Sequence, residues 1–170
     1  VEALPTYKKQ ETIDLFQRNG VLNEQELNSI FVIYTERYNK QLHIETSTAI
    51  RMARNEIYPA VMKHLNNLST AINSIKAAIG SENNNLIEGD RKHVLKVLNA
   101  KEHLRNSLGE LEKAFDTTIN IKDQYERAVF YHTDITPKID HLATWVNTLE
   151  LICEKSTWPF PIYEDLLFKL

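Results

Sequence analysis

The sequence predicts an all-α protein, on two observations. Apolar residues recur over long stretches at the three- and four-residue spacing that places them on one side of a helix. The 170 residues include only 4 glycines and 5 prolines, and a sheet would need more turn signals than these provide. We expect an antiparallel helical bundle built on a long helix kinked at Pro59 and on a long helical hairpin, followed by an extended C-terminal tail rich in Trp and Pro.

The composition limits the classes of function. Charged residues make up 25% and hydrophobic residues 42% of the chain, an ordinary globular balance. The formal net charge of -3 offers no attraction to nucleic acid or to an anionic membrane, so we expect neither as a partner. The one cysteine, Cys153, rules out an internal disulfide and predicts a cytoplasmic protein. Because the first residue is Val1 rather than Met, we expect the chain to be a piece of a longer chain.

A single helical domain over residues 1–170 is expected to begin with an extended lead and a short helix within residues 1–22. Gly20 ends that helix, because glycine readily adopts the left-handed conformation that closes a helix C-terminus. Asn23 then opens a long helix over residues 23–79, and Glu26 three residues later completes a capping box.

Two features stand out along this long helix. Tyr34 and Tyr38 lie one turn apart on its apolar side, a spacing that is typical of a core. Pro59 removes one backbone hydrogen bond and collides with the preceding turn, so a kink is expected there. Residues 80–89 should then form a loop, since three consecutive asparagines and a glycine do not sustain a helix.

The second half of the chain contains two more predicted helices. The first covers residues 90–133, with a weak point at the β-branched residues 117–121. The second covers residues 136–154, with Thr136 as its N-cap and a proline at its first helical position. A docking tail over residues 155–170 follows.

No constellation of residues predicts chemistry. The sequence contains no glycine-rich phosphate loop and no nucleophile elbow, and its histidines are dispersed. A metal-dependent helical bundle would need two Glu-x-x-His pairs; the nearest analogue, Asp90 with His93, is better explained by a helix cap. Cys153 is best explained as a buried small hydrophobe. We therefore predict no catalytic, no cofactor-binding and no metal-binding residue.

Two stretches resemble the C-terminal region of type III glutamine synthetases, a class found in Bacteroidetes-like bacteria and others. The family shows a short "LF…GV" helix, an "EL…Y…E.Y…IE…A…I.PA" helix, a variable hairpin and a closing "WP.P.Y..LLF". The matching residues of the first stretch are Leu15, Phe16, Gly20, Val21, Leu22, Glu26, Leu27, Tyr34, Glu36, Tyr38, Ile44, Glu45, Met52, Ala53, Ile57, Pro59 and Ala60. Those of the second are Trp158, Pro159, Pro161, Tyr163, Leu166, Leu167 and Phe168.

The resemblance implies a non-catalytic structural and assembly domain of an oligomeric enzyme that makes glutamine from glutamate, ammonia and ATP with Mg or Mn. The family's nucleotide, metal and glutamate residues lie upstream of this region, so the chain itself would hold no cofactor. Its partners would be the catalytic domain of the same chain and neighbouring subunits. The candidate contact residues are Tyr34, Tyr38, Glu45, Trp158, Pro159, Tyr163, Leu167 and Phe168. The alternative is a free-standing module that binds another protein through the groove beside Pro59.

Overall fold

The computed structural model describes residues 1–79 and 85–167, and every regular element within them is helical. The prediction of an all-α chain is confirmed for these residues. The structure divides into two compact units, and the single domain over residues 1–170 stays a prediction. Unit 1 comprises Val1–Thr48 and Glu112–Lys138, and unit 2 comprises Ala49–Leu111 and Ile139–Leu170. None of the described helices combines the length and apolar character that crossing a membrane requires.

The N-terminal segment of unit 1 is helical almost from its start. A 3-10 helix spans Leu4–Lys8, with a proline in its first turn, in place of the extended lead that the sequence predicts. Helix α1 follows over Gln10–Arg18. Gly20 ends it with φ at +62°, as predicted. The Val21 N–H donates to the Phe16 carbonyl at 3.0 Å, and the Gly20 N–H donates to the Gln17 carbonyl at 3.0 Å, so the turn is a Schellman motif.

Helix α2, Glu24–Met52, begins with the predicted capping box. The Glu26 N–H donates to the Asn23 side-chain oxygen at 2.9 Å, and the Asn23 N–H donates to the Glu26 carboxylate at 2.7 Å. The two residues thereby satisfy two backbone donors that a helix start otherwise leaves without partners.

Replacing Asn23 with alanine should therefore lower the free energy of unfolding by about 1 kcal/mol, because the Glu26 N–H loses its acceptor. Urea denaturation followed by circular dichroism measures this loss. Gln25→Ala, an exposed change in the same turn, is the control and should alter stability by less than about 0.5 kcal/mol. Equal effects of the two changes would contradict the capping role.

The buried side of α2 differs from the predicted one. Tyr34 is exposed and Tyr38 is half-buried, whereas Thr35 and Thr46 are fully buried. The two threonine hydroxyls donate to carbonyls of their own helix at 2.7 and 2.6 Å, so they enter the core without an unpaired polar group. The buried residues of α2 are Leu27, Phe31, Thr35, Asn39, Leu42 and Thr46.

The chain passes Pro59 without leaving the helical conformation. A π-helical turn spans Ala53–Ile57, and α3 follows directly over Tyr58–Ile79. The Tyr58 N–H donates to the Ala53 carbonyl, five residues back. In a regular α turn the proline ring would collide with the Asn55 carbonyl. The wider π turn accommodates the ring, so the structure shows a change of helix type at this position.

The same arrangement recurs before Pro137 and corrects the predicted helix start there. A π-helical turn spans Tyr131–Ile135 and continues into α6, Thr136–Ile152. Thr136 has helical dihedral angles, and both its N–H and its hydroxyl donate to the Tyr131 carbonyl. An N-cap residue has extended dihedral angles and a side chain that accepts, so Thr136 is not an N-cap.

The predicted helix over residues 90–133 is two helices in the structure. Helix α4 spans Glu88–Thr117, and a 3-10 turn over Thr118–Asn120 ends it at the β-branched residues predicted to be weak. Helix α5, Gln124–Phe130, then starts afresh. Of the predicted loop, residues 85–87 form a 3-10 turn, and residues 80–84 lie outside the described part of the chain.

The C-terminal segment of unit 2 starts with a turn after α6. The Trp158 N–H donates to the carbonyls of Glu154 and Lys155, each at 3.2 Å, and the Trp158 side chain is buried. No helix forms over residues 158–162, and α7 spans Tyr163–Leu167. The buried side chains of unit 2 are Ala53, Ile57, Val61, His64, Leu65, Ile72, Ile87, Val97, Ala100, Leu104, Ser107, Leu108, Leu111, Leu142, Leu149, Thr157 and Trp158.

Candidate functional site

A polar cleft forms in unit 1 where one face of α2 meets the segment from α5 to the following π turn. Its cavity is about 400 Å³. Helix α2 contributes residues at the three- and four-residue spacing that shares one helix face: Glu36, Asn39, Lys40, His43 and Ile44. The other wall contributes Gln124, Arg127 and Tyr131. We call this the α2–α5 cleft.

Asn39 joins the two walls. Its amide nitrogen donates to the Gln124 backbone carbonyl at 2.8 Å and to the Gln124 side-chain oxygen at 3.0 Å. Only 6% of Asn39 is exposed, and its Oδ1 has no hydrogen-bond partner among the residues that the structure describes. A buried acceptor without a donor costs about 1–3 kcal/mol. The amide therefore positions α5 but leaves one acceptor unsatisfied.

Two further contacts position α5. The Asp123 side chain accepts from the backbone N–H groups of Tyr125 and Glu126 at 2.9 and 2.8 Å, so it is the N-cap of the helix. The Arg127 guanidinium donates to the Ile121 carbonyl, through Nε at 2.9 Å and also through Nη2. These bonds close the loop before α5 and orient the guanidinium beside the cleft.

The remaining lining groups give the cleft an excess of positive charge. Lys40 forms an ion pair with Glu36 at 2.7 Å, and Arg127 supplies a second cation against that one carboxylate. Nδ1 of His43 lies 3.3 Å from the buried Tyr131 hydroxyl. The His43 ring also packs against Phe115, with centroids 4.9 Å apart. The cleft therefore combines cations and hydrogen-bond donors with the hydrocarbon surface of its aromatic and aliphatic residues.

The predicted contact residues of α2 lie in different environments within unit 1. Tyr34 is exposed, and its ring centroid is 6.4 Å from that of Tyr7. Burial raises the pKa of Tyr38, with the negative charge of Glu45 adding to the rise, while a hydrogen bond to Thr136 opposes it. Glu45 is exposed and accepts from Gln41 at 2.9 Å.

The predicted contact residues of the tail are also divided. Trp158 is buried, while Pro159 is exposed and Leu167 is 57% exposed. Tyr163 begins α7, but its side chain lies outside the described part of the structure, as does all of Phe168. An ion pair between Lys155 and Asp165, at 2.7 Å, ties α7 to the turn that precedes the tail.

A serine and a histidine approach each other in unit 2 without forming a nucleophilic pair. Oγ of Ser107 lies 3.2 Å from Nδ1 of His141, and the Trp145 indole N–H donates to Nε2 of the same histidine at 3.3 Å. An indole can only donate, so in the neutral ring Nε2 carries no proton and Nδ1 carries it. His141 therefore donates to Ser107 and cannot remove its proton. Ser107 is also buried.

The other reactive side chains of unit 2 are engaged in structural roles. Nδ1 of His64 accepts from the Glu154 backbone N–H at 3.3 Å, so the neutral ring carries its proton on Nε2 and offers no lone pair there to a metal. Burial raises the pKa of the Cys153 thiol to about 11, which keeps it protonated and unreactive. No cluster of three or more His, Cys, Asp or Glu side chains suited to a metal ion occurs in residues 1–79 and 85–167.

Comparison with known proteins shows which family the chain resembles. Residues 1–76 match the family model described as the glutamine synthetase C-terminal domain. Over 168 residues, 98% of the chain, the sequence is 26% identical to a type-3 glutamine synthetase of Dictyostelium discoideum. Nearly the whole chain is similar to glutamine synthetases, and residues 1–76 are similar to their C-terminal domain. The sequence resemblance is thus confirmed.

Two other members of the glutamine synthetase family match over nearly the whole chain. A glutamine synthetase of Butyrivibrio fibrisolvens is 26% identical over 99% of the chain, and one of Bacteroides fragilis is 25% identical over 98%. The chain spans only 23% of the length of the Dictyostelium protein, 24% of the Butyrivibrio protein and 23% of the Bacteroides protein. Because Dictyostelium is a eukaryote, the family is not confined to bacteria.

The sequence alone does not predict that residues of α5 form the second wall of the cleft. Glu36, Lys40 and His43 share a helix face by their spacing, and such a polar stripe is typical of a solvated surface. Gln124 and Arg127 carry no local signal that would pair them with α2, since 85 residues separate Asn39 from Gln124. Only the tertiary structure brings these side chains together.

Proposed function

We propose that the chain is a non-catalytic structural and assembly domain of a type III glutamine synthetase. The full-length enzyme would make glutamine from glutamate, ammonia and ATP, with Mg or Mn bound outside this domain. The observation that carries the proposal is the alignment of nearly the whole chain with three glutamine synthetases of about four times its length. A domain of a longer enzyme accounts for this coverage better than a free-standing interaction module does.

The polar side chains within the domain support a structural role. His141 holds Ser107 and Trp145 together, and His64 accepts from the backbone at the end of α6. These groups are committed to hydrogen bonds that maintain the fold, and none is poised for acid–base or nucleophilic chemistry.

We further propose that the helices form an antiparallel bundle bent at Pro59 and that the enzyme is cytoplasmic.

Two apolar surfaces suit contacts with the catalytic domain or with neighbouring subunits. On α2, the neighbours Val32 and Ile33 are exposed beside Tyr34. On α7, Leu166 and Leu167 are exposed. Contiguous apolar side chains of this kind are typical of interaction sites. In this proposal the buried Trp158 anchors the tail to the rest of unit 2. The leucines of α7 then contact the catalytic domain or a neighbouring subunit.

Deleting residues 158–170 from the full-length enzyme should lower the stability of the oligomer, because the tail contacts are lost. Analytical ultracentrifugation over a concentration series, together with the glutamine-forming activity, measures the effect. Unchanged assembly and activity after the deletion would show that the anchoring role is wrong.

A second variant separates lost contacts from misfolding, since the deletion also removes the buried Trp158. Leu166→Asp combined with Leu167→Asp changes only exposed side chains and should weaken assembly at least about tenfold while leaving the fold intact. Leu151→Asp is the matched control, because Leu151 is an 86% exposed leucine of unit 2 outside the tail. If the control weakens assembly equally, the tail has no specific role.

A further inference from the structure

The α2–α5 cleft has an excess of positive charge. Lys40 and Arg127 face one carboxylate, that of Glu36, so the lining carries one more cation than anion. The lysine side chain is 71% exposed and able to move, whereas the guanidinium is fixed on the Ile121 carbonyl. A fixed guanidinium beside an adaptable ammonium favours a small anion, and a carboxylate or a phosphate would suit both donors.

The orphaned acceptor of Asn39 narrows the class of ligand. The amide orientation is settled by its surroundings, since the nitrogen donates to two oxygens of Gln124. Oδ1 is therefore the unsatisfied atom, and only a donor can satisfy it. The oxygen is covered in the structure, so a ligand donor reaches it when a lining side chain shifts.

These two features call for an anion that carries its own N–H or O–H donor. Simple carboxylates lack a donor close to the charge, amines lack the anion, and phosphate carries its O–H on the charged group itself rather than beside it. An α-amino or α-hydroxy acid carries both groups on adjacent carbons. An ammonium group of such a ligand could also pair with Glu36, while the exposed Ile44 offers hydrocarbon surface to its side chain.

We propose that the α2–α5 cleft binds a small α-amino or α-hydroxy carboxylate. The carboxylate contacts Arg127 and Lys40, and the donor on the adjacent carbon satisfies Oδ1 of Asn39. This gives the domain a ligand site in addition to its proposed structural role, and the site lies wholly within unit 1. Binding would order the Lys40 side chain and strengthen the link between α2 and α5.

The test is a titration of the ¹⁵N-labelled chain followed by NMR. The probes are L-glutamine, L-glutamate and L-lactate, with acetate as the carboxylate that lacks a donor. At least one probe should bind with a Kd of about 1 mM or tighter, and the shifted amides should include those of Lys40 and Arg127. Acetate should bind at least about tenfold more weakly, because it leaves Oδ1 of Asn39 without a partner.

Matched lysine variants test whether the cleft is the site. Lys40→Gln should weaken binding of the same probe about tenfold, because it removes a charge-assisted hydrogen bond. Lys92→Gln is the control: Lys92 is 73% exposed and pairs with Glu88 four residues earlier, as Lys40 does with Glu36, but it lies in unit 2. It should leave the Kd unchanged.

Three results would each overturn the proposal. The first is that none of the three probes binds at concentrations up to about 10 mM. The second is that acetate binds as tightly as the best probe, which would show that Oδ1 of Asn39 does not accept from the ligand. The third is that the two lysine variants bind alike. None of these results bears on assembly of the full-length enzyme, so they leave the structural proposal untouched.

Discussion

Replacing Tyr131 with alanine is expected to lower the free energy of unfolding by about 4 kcal/mol, a large part of the 5–15 kcal/mol that is typical of a folded domain. Tyr131 is 1% exposed and is the largest of the fully buried side chains among the described residues. The change removes a whole aromatic ring from the core of unit 1, and the cavity left behind adds to the lost burial energy.

Two companion variants identify the source of this loss. Tyr131→Phe keeps the ring and removes only the hydroxyl near His43, so it should cost about 1 kcal/mol. Tyr34→Ala removes a tyrosine that is exposed and should cost less than about 1 kcal/mol. Urea denaturation at neutral pH, followed by circular dichroism, measures all three variants.

The order of the effects decides the interpretation. If Tyr131→Ala costs no more than Tyr34→Ala, then the buried ring does not organise unit 1. If Tyr131→Phe costs as much as Tyr131→Ala, then the hydroxyl rather than the packed ring is responsible. We expect Tyr131→Ala to cause the largest loss of unfolding free energy, because it removes the buried ring.

The features predicted correctly from sequence depend on contacts between near neighbours in the chain. The capping box joins Asn23 and Glu26, three residues apart, and the turn at Gly20 depends on the backbone preference of one residue. The β-branched residues before Ile121 likewise end a helix for a local reason. Such features are encoded within a few residues, so the sequence alone suffices.

The features predicted wrongly depend on competition between local signals. Thr136 and Pro137 form a typical helix start, but a π turn lets the chain pass the proline without interruption. The actual start of α5 is at Asp123, whose side chain accepts two backbone bonds. The apolar pattern of α2 favours Tyr34 over Thr35 as a core residue, because a threonine that satisfies its own hydroxyl is not recognisable from spacing.

The candidate site is the least predictable part of the molecule. The polar stripe of α2 is visible in the sequence, but its partner wall is not. Pairs such as Asn39 with Gln124 and His43 with Tyr131 lie 85 and 88 residues apart. Tertiary folding alone determines which distant residues meet, so a polar stripe on a helix does not distinguish a solvated face from one wall of a cleft.

The second large effect that we expect is a loss of stability in acid that depends on His64. This side chain is 4% exposed, and its Nε2 has no hydrogen-bond partner among the described residues. Burial lowers the pKa of His64 below its usual value of 6.5, the nearby His93 lowers it further, and Glu154 opposes the shift. The His93 ring lies edge-on to it at 6.0 Å.

The sign of the effect follows from the lowered pKa. The unfolded chain binds a proton at His64 near pH 6.5, and the folded chain does so only at lower pH. The unfolded state therefore binds more protons in this window, and stability rises with pH there. The contribution of His64 is complete above pH 6.5 and is lost as the pH falls through the folded pKa. Protonation also places an N–H at Nδ1, where it opposes the Glu154 N–H that this nitrogen accepts in the neutral ring.

Replacing His64 with asparagine should remove much of this acid sensitivity, because the amide oxygen can accept from Glu154 and does not titrate. The measurement is the free energy of unfolding at about pH 7.5 and about pH 5. His132→Asn is the control, since His132 is an exposed histidine of unit 1, and it should keep the acid sensitivity of the original chain. Since His64→Asn also removes a buried ring, the decisive quantity is the difference between the two pH values. If that difference is the same with and without His64, then other groups carry the acid response.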